Sequence, residues 1–260
     1  MIGNEYFTFE TGQATDVGCR RTVNEDSFLS RPESGLWVVA DGMGGHAAGD
    51  FASQTIVKEL YSIGMPGSAE DLHARFGERL VRANETILEH AEALDRGTIG
   101  ATVVALLIHG SDYACVWSGD SRGYLFRDGH LVQQSRDHTE VRALLDAGSI
   151  TEDEAENWPR KNVITQAIGV SEQPHCDIVT GVAQVGDRFL LCSDGLTEHI
   201  QDAEIASFLR IHDAQSACDA LIQETLARGA KDNVTVIVVN CLPPPPIEDD
   251  EMMDGMDQLA

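Results

Sequence analysis

Leu36-Trp37-Val38-Val39-Ala40-Asp41-Gly42-Met43-Gly44-Gly45-His46 sets an apolar, β-branched and aromatic run directly against an acid and a glycine-rich turn. Two later runs end the same way: Tyr113-Ala114-Cys115-Val116-Trp117 shortly before Asp120, and Phe189-Leu190-Leu191-Cys192 shortly before Asp194. A fourth, Val234-Thr235-Val236-Ile237-Val238-Val239, begins just after Asp232-Asn233. Short runs of this composition bounded by Gly, Asp and Asn predict strands, so each places a carboxylate at a strand tip. If the tips converge, the carboxylates raise one another's pKa unless a cation sits among them. Oxygen donors with no adjacent Cys/His cluster point to Mg²⁺ or Mn²⁺.

Further predicted strands are 101–108, 163–168, 177–182 and 187–193, with extended chain over 5–31 and a hairpin turning at Arg127-Asp128-Gly129. Helical spacing marks 49–62, 202–211 and 214–228. It is clearest over 69–95, where Leu72, Phe76, Leu80, Ala83, Ile87, Ala91 and Leu94 recur every three or four residues. The stretch 137–160 is polar and irregular, with Thr151-Glu152-Asp153-Glu154 as a capping box. Strands outnumber helices and many are sequence neighbours, which favours antiparallel sheets covered by helices over a βαβ winding.

A chain of 260 residues, 42% of them hydrophobic, can bury a sizeable core. The net charge of −25 excludes unassisted binding to nucleic acid or an anionic membrane, and an anionic substrate needs local cations to enter. Six cysteines without a CxxC, several inside apolar runs, read as buried free thiols of a reducing cytoplasm. No N-terminal leader pattern and no run of about 18 apolar residues is present. Pro243-Pro244-Pro245-Pro246 marks a boundary. The globular part is thus expected over 1–242, followed by a Pro-rich, acidic, disordered tail over 243–260.

Two motif matches weaken in context. Gly42, Gly44 and Ala47 nominally fit a dinucleotide fingerprint, but a helical pattern fills the place of its second strand, and Asp41 would repel a pyrophosphate. Gly119-Asp120-Ser121-Arg122-Gly123 fits the G-x-S-x-G elbow, yet Tyr124-Leu125-Phe126 makes the context strand, turn, strand instead of strand, turn, helix. A serine hydrolase built on Ser121 is kept as a rival reading.

The order of seven stretches along the chain is specific. They are Arg21-x-x-Asn24-Glu25-Asp26, Asp41-Gly42-Met43-Gly44-Gly45-His46, Gly100-Ala101-Thr102, Gly119-Asp120-Ser121-Arg122, Asp137-His138-Thr139, Cys192-Ser193-Asp194-Gly195-Leu196 and Lys231-Asp232-Asn233-Val234-Thr235. In this order the sequence resembles the metal-dependent protein phosphatases of type 2C, particularly their compact bacterial members. The resemblance implies an α+β fold, a four-layer α-β-β-α sandwich of two antiparallel sheets flanked by helices. It also implies hydrolysis of phosphoserine and phosphothreonine monoesters on proteins by direct attack of a metal-activated water, with no phosphoenzyme.

Carried over residue by residue, Asp41 would bridge two Mg²⁺ or Mn²⁺ ions, joined by the Gly42 carbonyl. Glu25 would serve one ion, and Asp194 and Asp232 the other. Asp26 would act through water, and Asp120 with Asp194 would hold a third ion. Arg21 would bind the substrate phosphate, its planar fork suited to that task. Met43 stands where many eukaryotic relatives have a histidine proposed as general acid; a water, or else His46, is left for that role. The 137–160 segment matches the family's variable flap, with Arg136, Arg142, Arg160 and Lys161 in or beside it. The implied partners are phosphoproteins, opposing a Ser/Thr kinase, with a monomeric cytoplasmic enzyme expected. A catalytically silent phosphoprotein-binding domain of the same fold is the second rival reading.

Overall fold

The computed structural model describes residues 2–3, 5–44, 48–94, 97–160 and 163–244. In chain order the strands are β1 (Ile2–Gly3), β2 (Thr8–Asp16), β3 (Asp26–Arg31), β4 (Leu36–Met43), β5 (Gly100–Ala101) and β6 (Val103–His109). They continue with β7 (Asp112–Ser118), β8 (Arg122–Arg127), β9 (His130–Gln133), β10 (Asp177–Val182), β11 (Arg188–Cys192) and β12 (Val234–Leu242). The helices are α1 (Gly49–Tyr61), α2 (Ala69–Ala93), α3 (Glu140–Asp146), α4 (Glu152–Glu156), α5 (Asp194–Thr197), α6 (Asp202–Ile211) and α7 (Ala214–Ala227).

One sheet runs β1-β2-β12-β11-β8-β9. The other runs β10-β7-β6-β4-β3, with β5 paired to β4. All pairings are antiparallel. The central strands carry apolar residues on both faces because both faces are covered, which explains runs that do not alternate. In β4, Trp37 and Val39 pack between the sheets, while Leu36, Val38 and Ala40 face α1 and α2. In β12, Ile237, Val239 and Cys241 join the inter-sheet core, and Val234, Val236 and Val238 face α6 and α7. Three apolar layers between four structural layers therefore give the expected α-β-β-α sandwich.

Local signals match in detail. Asp128 (φ 51°) and Gly129 (φ 81°) close the two-residue turn between Arg127 and His130. Thr151 and Glu154 form the reciprocal capping box of α4. Ser68 caps α2 by accepting from the Asp71 amide at 3.1 Å.

Two expectations are corrected. Residues 163–168 form no strand: Ile164 bridges to Thr139 and Ile168 to Ala101, so the segment touches two different partners with one residue each. Its apolar residues reflect packing of an irregular crossing, with Ile168 fully buried and Val163 exposed. Asp41 does not end β4 either, because Gly42 and Met43 continue the strand against Ala101 and Gly100 of β5. The acidic tail from 245 onward, Lys161 and His46 lie outside the described residues. Among the described residues no helix is long and apolar enough to cross a membrane.

Gly12 on β2 meets the start of α7 so closely that an added Cβ would stand 2.2 Å from the Ala214 carbonyl oxygen. Gly77 in α2 has open space around it. Gly12→Ala is expected to lower the unfolding free energy by about 2–3 kcal/mol, since backbone must shift. Gly77→Ala is expected to raise it by about 0.5–1 kcal/mol through helix propensity. Denaturant midpoints of the two variants check both signs.

Candidate metal centre

Strand register gathers the acids at one end of the sandwich. Asp26 and Asp41 are direct cross-strand partners in β3 and β4. On the other sheet, Arg122 pairs with Cys192, so Asp120 before β8 and Asp194 after β11 leave from the same end. Cys192 also pairs with Val236, which puts Asp232, just ahead of β12, beside Asp194. The two sheets are joined here by hydroxyls: Ser193 Oγ and Thr235 Oγ1 donate to Asp26 Oδ2 at 2.8 and 2.7 Å.

The remaining predicted residues surround this cluster. Glu25 is fixed by its backbone amide, which donates to Asn233 Oδ1 at 2.8 Å, and its carbonyl accepts from Gly42 N–H at 3.2 Å. Its carboxylate lies against Gly49 at the head of α1, where an added Cβ would come within 2.7 Å of Oε1. The positive end of α1 favours a carboxylate there. A Cβ on Gly42 would meet the Gly49 carbonyl oxygen at 2.1 Å, so only glycine lets this strand and helix approach. Arg21 is half exposed, donates to Asp232 Oδ2 at 2.7 Å and stands 4.0 Å from Glu25 Oε2. It thus stands at the acids, paired here with one of them.

Crowding is visible in the protonation equilibria. Burial pushes Asp26 up to about 6, against the opposing pull of its Thr235 and Ser193 hydrogen bonds. Burial and then the charges of Asp26, Asp194, Asp120 and Asp232 hold Asp41 well above the usual carboxylate range. Burial, followed by Asp120 and Glu198, does the same to Asp194. Asp120 is pushed up to about 6 by burial and by Asp137.

The donors suit a hard divalent cation. All are oxygens, and the buried Asp26 Oδ1 has no hydrogen-bond partner. Among the described residues no three of these groups already stand around one point at ligating distances. What the fold supplies is proximity, repulsion and an unpartnered acceptor.

Several residues that hold the site were quoted in the motifs without a role. Asn233 Nδ2 donates to the carbonyls of Val17 and Val23, both at 3.0 Å, tying the Arg21–Glu25 loop to β12. Thr102 Oγ1 accepts from the Asp41 amide at 3.3 Å and shares a 2.7 Å hydrogen bond with Ser121 Oγ. Arg122 forks onto Asp137, with Nη2 2.6 Å from Oδ2. A cleft of about 190 Å³ beside the acids is lined by Asp120, Arg122, Asp137, Thr139, Asp194 and Glu198. The signal for these partners is their place inside the motif stretches; their pairings are long-range and leave no spacing to read.

Ser121 is buried, and its hydroxyl is engaged by Thr102, which is no nucleophile's setting. The flap arginines pair with the flap's own acids. Arg136 and Arg142 pair with Asp146, the latter at 3.0 Å, and Arg160 pairs with Glu140.

A layered α-β-β-α protein with acids from both sheets gathered at one end is a recognisable class. The family model for protein phosphatase 2C matches residues 19–229. The chain belongs to the protein phosphatase 2C family. Serine/threonine protein phosphatase PstP of Mycobacterium tuberculosis is 38% identical over 228 residues, covering 87% of this chain and 44% of PstP. The chain thus spans under half of that relative's length. Serine/threonine phosphatase Stp of Listeria innocua is 35% identical over 234 residues, covering 86% of this chain and 93% of Stp.

Among solved structures, Pseudomonas aeruginosa PppA, described as a key regulatory component of T6SS, superposes with a TM-score of 0.85. It is 39% identical and covers 92% of this chain and all of PppA. The catalytic domain of PstP in complex with two manganese ions gives a TM-score of 0.82 at 36% identity, covering 90% of this chain and 98% of that one.

Without metal, ionised Asp41 sits among like charges in the fold and is free of them in the unfolded chain. A raised folded pKa means that stability is full at low pH and is lost as pH rises above the unfolded value of 3.8. Asp41→Asn is therefore expected to be more stable than the parent in chelator at pH 7, with the gap closing towards pH 4. Adding Mn²⁺ is expected to reverse the order. Thermal unfolding of both proteins across pH, with and without Mn²⁺, measures this.

Proposed function

We propose that residues 1–242 form the catalytic domain of a Mg²⁺- or Mn²⁺-dependent protein phosphatase acting on phosphoserine and phosphothreonine. The observation that carries this reading is the convergence of Asp26, Asp41, Asp120, Asp194 and Asp232, drawn from both sheets, onto one end of the sandwich. The two manganese ions held by the PstP catalytic domain support it. The end of β12 at Leu242 supports the domain boundary.

Two ions would be held by Asp41 with the Gly42 carbonyl, Glu25, Asp194 and Asp232. Asp26 would act through water, and Asp120 with Asp194 would hold a third, weaker ion. Bound together, two such ions supply Lewis acidity, a lowered pKa for an attacking water and a clamp on the phosphoryl oxygens. The chain's own residues do the rest. Ser193 and Thr235 hold Asp26 by one oxygen and leave the other, buried, without a hydrogen-bond partner. Thr102 pins the Asp41 backbone. Arg21, on the open side and half exposed, exchanges Asp232 for the substrate phosphate and brings positive charge into an acidic surface.

The water acts directly on phosphorus, and no phosphoenzyme forms. Cys115, Cys192, Cys218 and Cys241 are buried, and burial pushes each thiol up to about 12, so none is poised as a nucleophile. The substrates are phosphoproteins, in opposition to a Ser/Thr kinase, and the enzyme works as a cytoplasmic monomer without nucleic-acid or membrane partners. The strongly acidic surface supports the last point.

Turnover of a phosphothreonine peptide is expected with Mn²⁺ and absent in chelator, and Asp41→Asn is expected to lose about 10³-fold or more in kcat. Metal-independent turnover, or an active Asp41→Asn protein, overturns the reading. Arg21→Ala is expected to raise KM about tenfold, with a smaller change in kcat, as loss of a charged phosphate contact should. Ser121→Ala is expected to retain turnover; its loss with Mn²⁺ binding intact would favour the serine-hydrolase alternative.

A further inference from the structure

The Asp137-His138-Thr139 stretch carries no role in the chemistry above, yet His138 is a hub. The residue is buried. Its backbone N–H donates to the Gly119 carbonyl at 2.9 Å, and its own carbonyl accepts from Thr165 N–H at 2.7 Å. Its Nδ1 accepts from Gly119 N–H at 3.2 Å. An imidazole nitrogen that accepts carries no hydrogen, so the ring hydrogen is on Nε2. Nε2 faces Asp177 Oδ2 at 3.2 Å, and the other oxygen of Asp177 lies 3.3 Å from His175 Nε2. The Trp117 ring, 6.0 Å from the imidazole centroid, flanks it. Trp117 is also the register partner of Asp177 across β7 and β10.

Gly119 is the residue before Asp120. Its φ of +110° suits glycine, and an added Cβ would stand 2.6 Å from the Thr102 side chain. The β7–β8 turn that presents Asp120 is therefore gripped from two sides. His138 holds both polar backbone atoms of Gly119, and Thr102 holds Ser121. Asp120 lies in no ladder, so the turn that carries it is placed by these contacts.

We propose that His138, fixed with its hydrogen on Nε2 by Asp177, is the positioning residue for Asp120. Through Gly119 it aims the Asp120 carboxylate at Asp194, and so sets the affinity of the weaker ion site those two share. The proposal rests on the reading of Asp120 as a metal ligand.

Two isosteric replacements separate the halves of the device. His138→Asn puts an amide oxygen where Nδ1 stands, keeping the Gly119 bond and losing Asp177. His138→Gln reaches Asp177 and leaves Gly119 N–H without its acceptor. In Mn²⁺ titration calorimetry of the full chain, the Gln variant is expected to weaken the weakest binding step about tenfold and spare the tighter steps. The Asn variant should stay within about threefold. Thermal unfolding in chelator, expected to be similar for the two variants, shows that the difference is not one of general stability. In the metal-free parent, ¹⁵N-histidine NMR is expected to show His138 with its hydrogen on Nε2, and Asp177→Ala to relax that preference. The proposal is overturned if His138 carries its hydrogen on Nδ1. It is equally overturned if the Gln variant binds Mn²⁺ like the parent while Asp120→Asn has lost the weak step. If Asp120→Asn itself leaves every Mn²⁺ step intact, the ligand reading fails, and the positioning proposal fails with it.

Discussion

The direct cross-strand pairing of Asp26 with Asp41 is the constraint on which the rest of the structure depends. Like charges opposite one another destabilise a strand pair, and this pair sits where burial magnifies the repulsion. The register cannot relax it. A slip of one residue would turn Trp37 and Val39 towards the helices and Val38 and Ala40 towards the other sheet, disordering two apolar layers at once. The core thus locks in an arrangement that the acids alone would reject.

The local response to that conflict joins the sheets. Asp26 belongs to β3, yet the hydroxyls that steady it come from Ser193 and Thr235 on the opposite sheet. Asn233, just ahead of β12, holds the loop carrying Arg21 and Glu25. The acid cluster is therefore the seam of the sandwich, not a decoration at its edge. A divalent ion placed among the acids would remove the repulsion and tighten that seam, so folding stability and metal binding are coupled at one locus.

The sequence made the central strands, the long helices and the identity of the acids legible, because these rest on short-range patterns and on ordered motifs. Asp41 and Asp194 announce themselves as acids after apolar runs. Periodicity could not show that β4 runs on past Asp41, because Gly42 and Met43 look like the start of a turn until β5 pairs with them. Residues 163–168 misled in the opposite sense: Val163, Ile164, Ala167 and Ile168 make a short apolar-rich stretch, but the segment bridges two different elements. Thr102, Asn233 and His138 were in view as motif members. Their work depends on hydrogen bonds to residues far along the chain, and no local spacing encodes such partners.

The acids also differ in how they are held, and this difference has a functional consequence. Asp26 and Asp41 are strand residues paired with one another, so neither can move without the sheet. Asp194 follows β11 after Ser193 and starts α5, and Asp232 is braced by the neighbouring Asn233. Asp120 sits in a turn whose placement comes from side chains reaching it from the flap end and from β5–β6. Side-chain braces can be altered without moving a sheet, whereas a ladder position shifts only with its sheet. An ion site that included Asp120 would for that reason be the one whose affinity the surrounding sequence could tune, while the cluster around Asp41 is fixed by the fold itself.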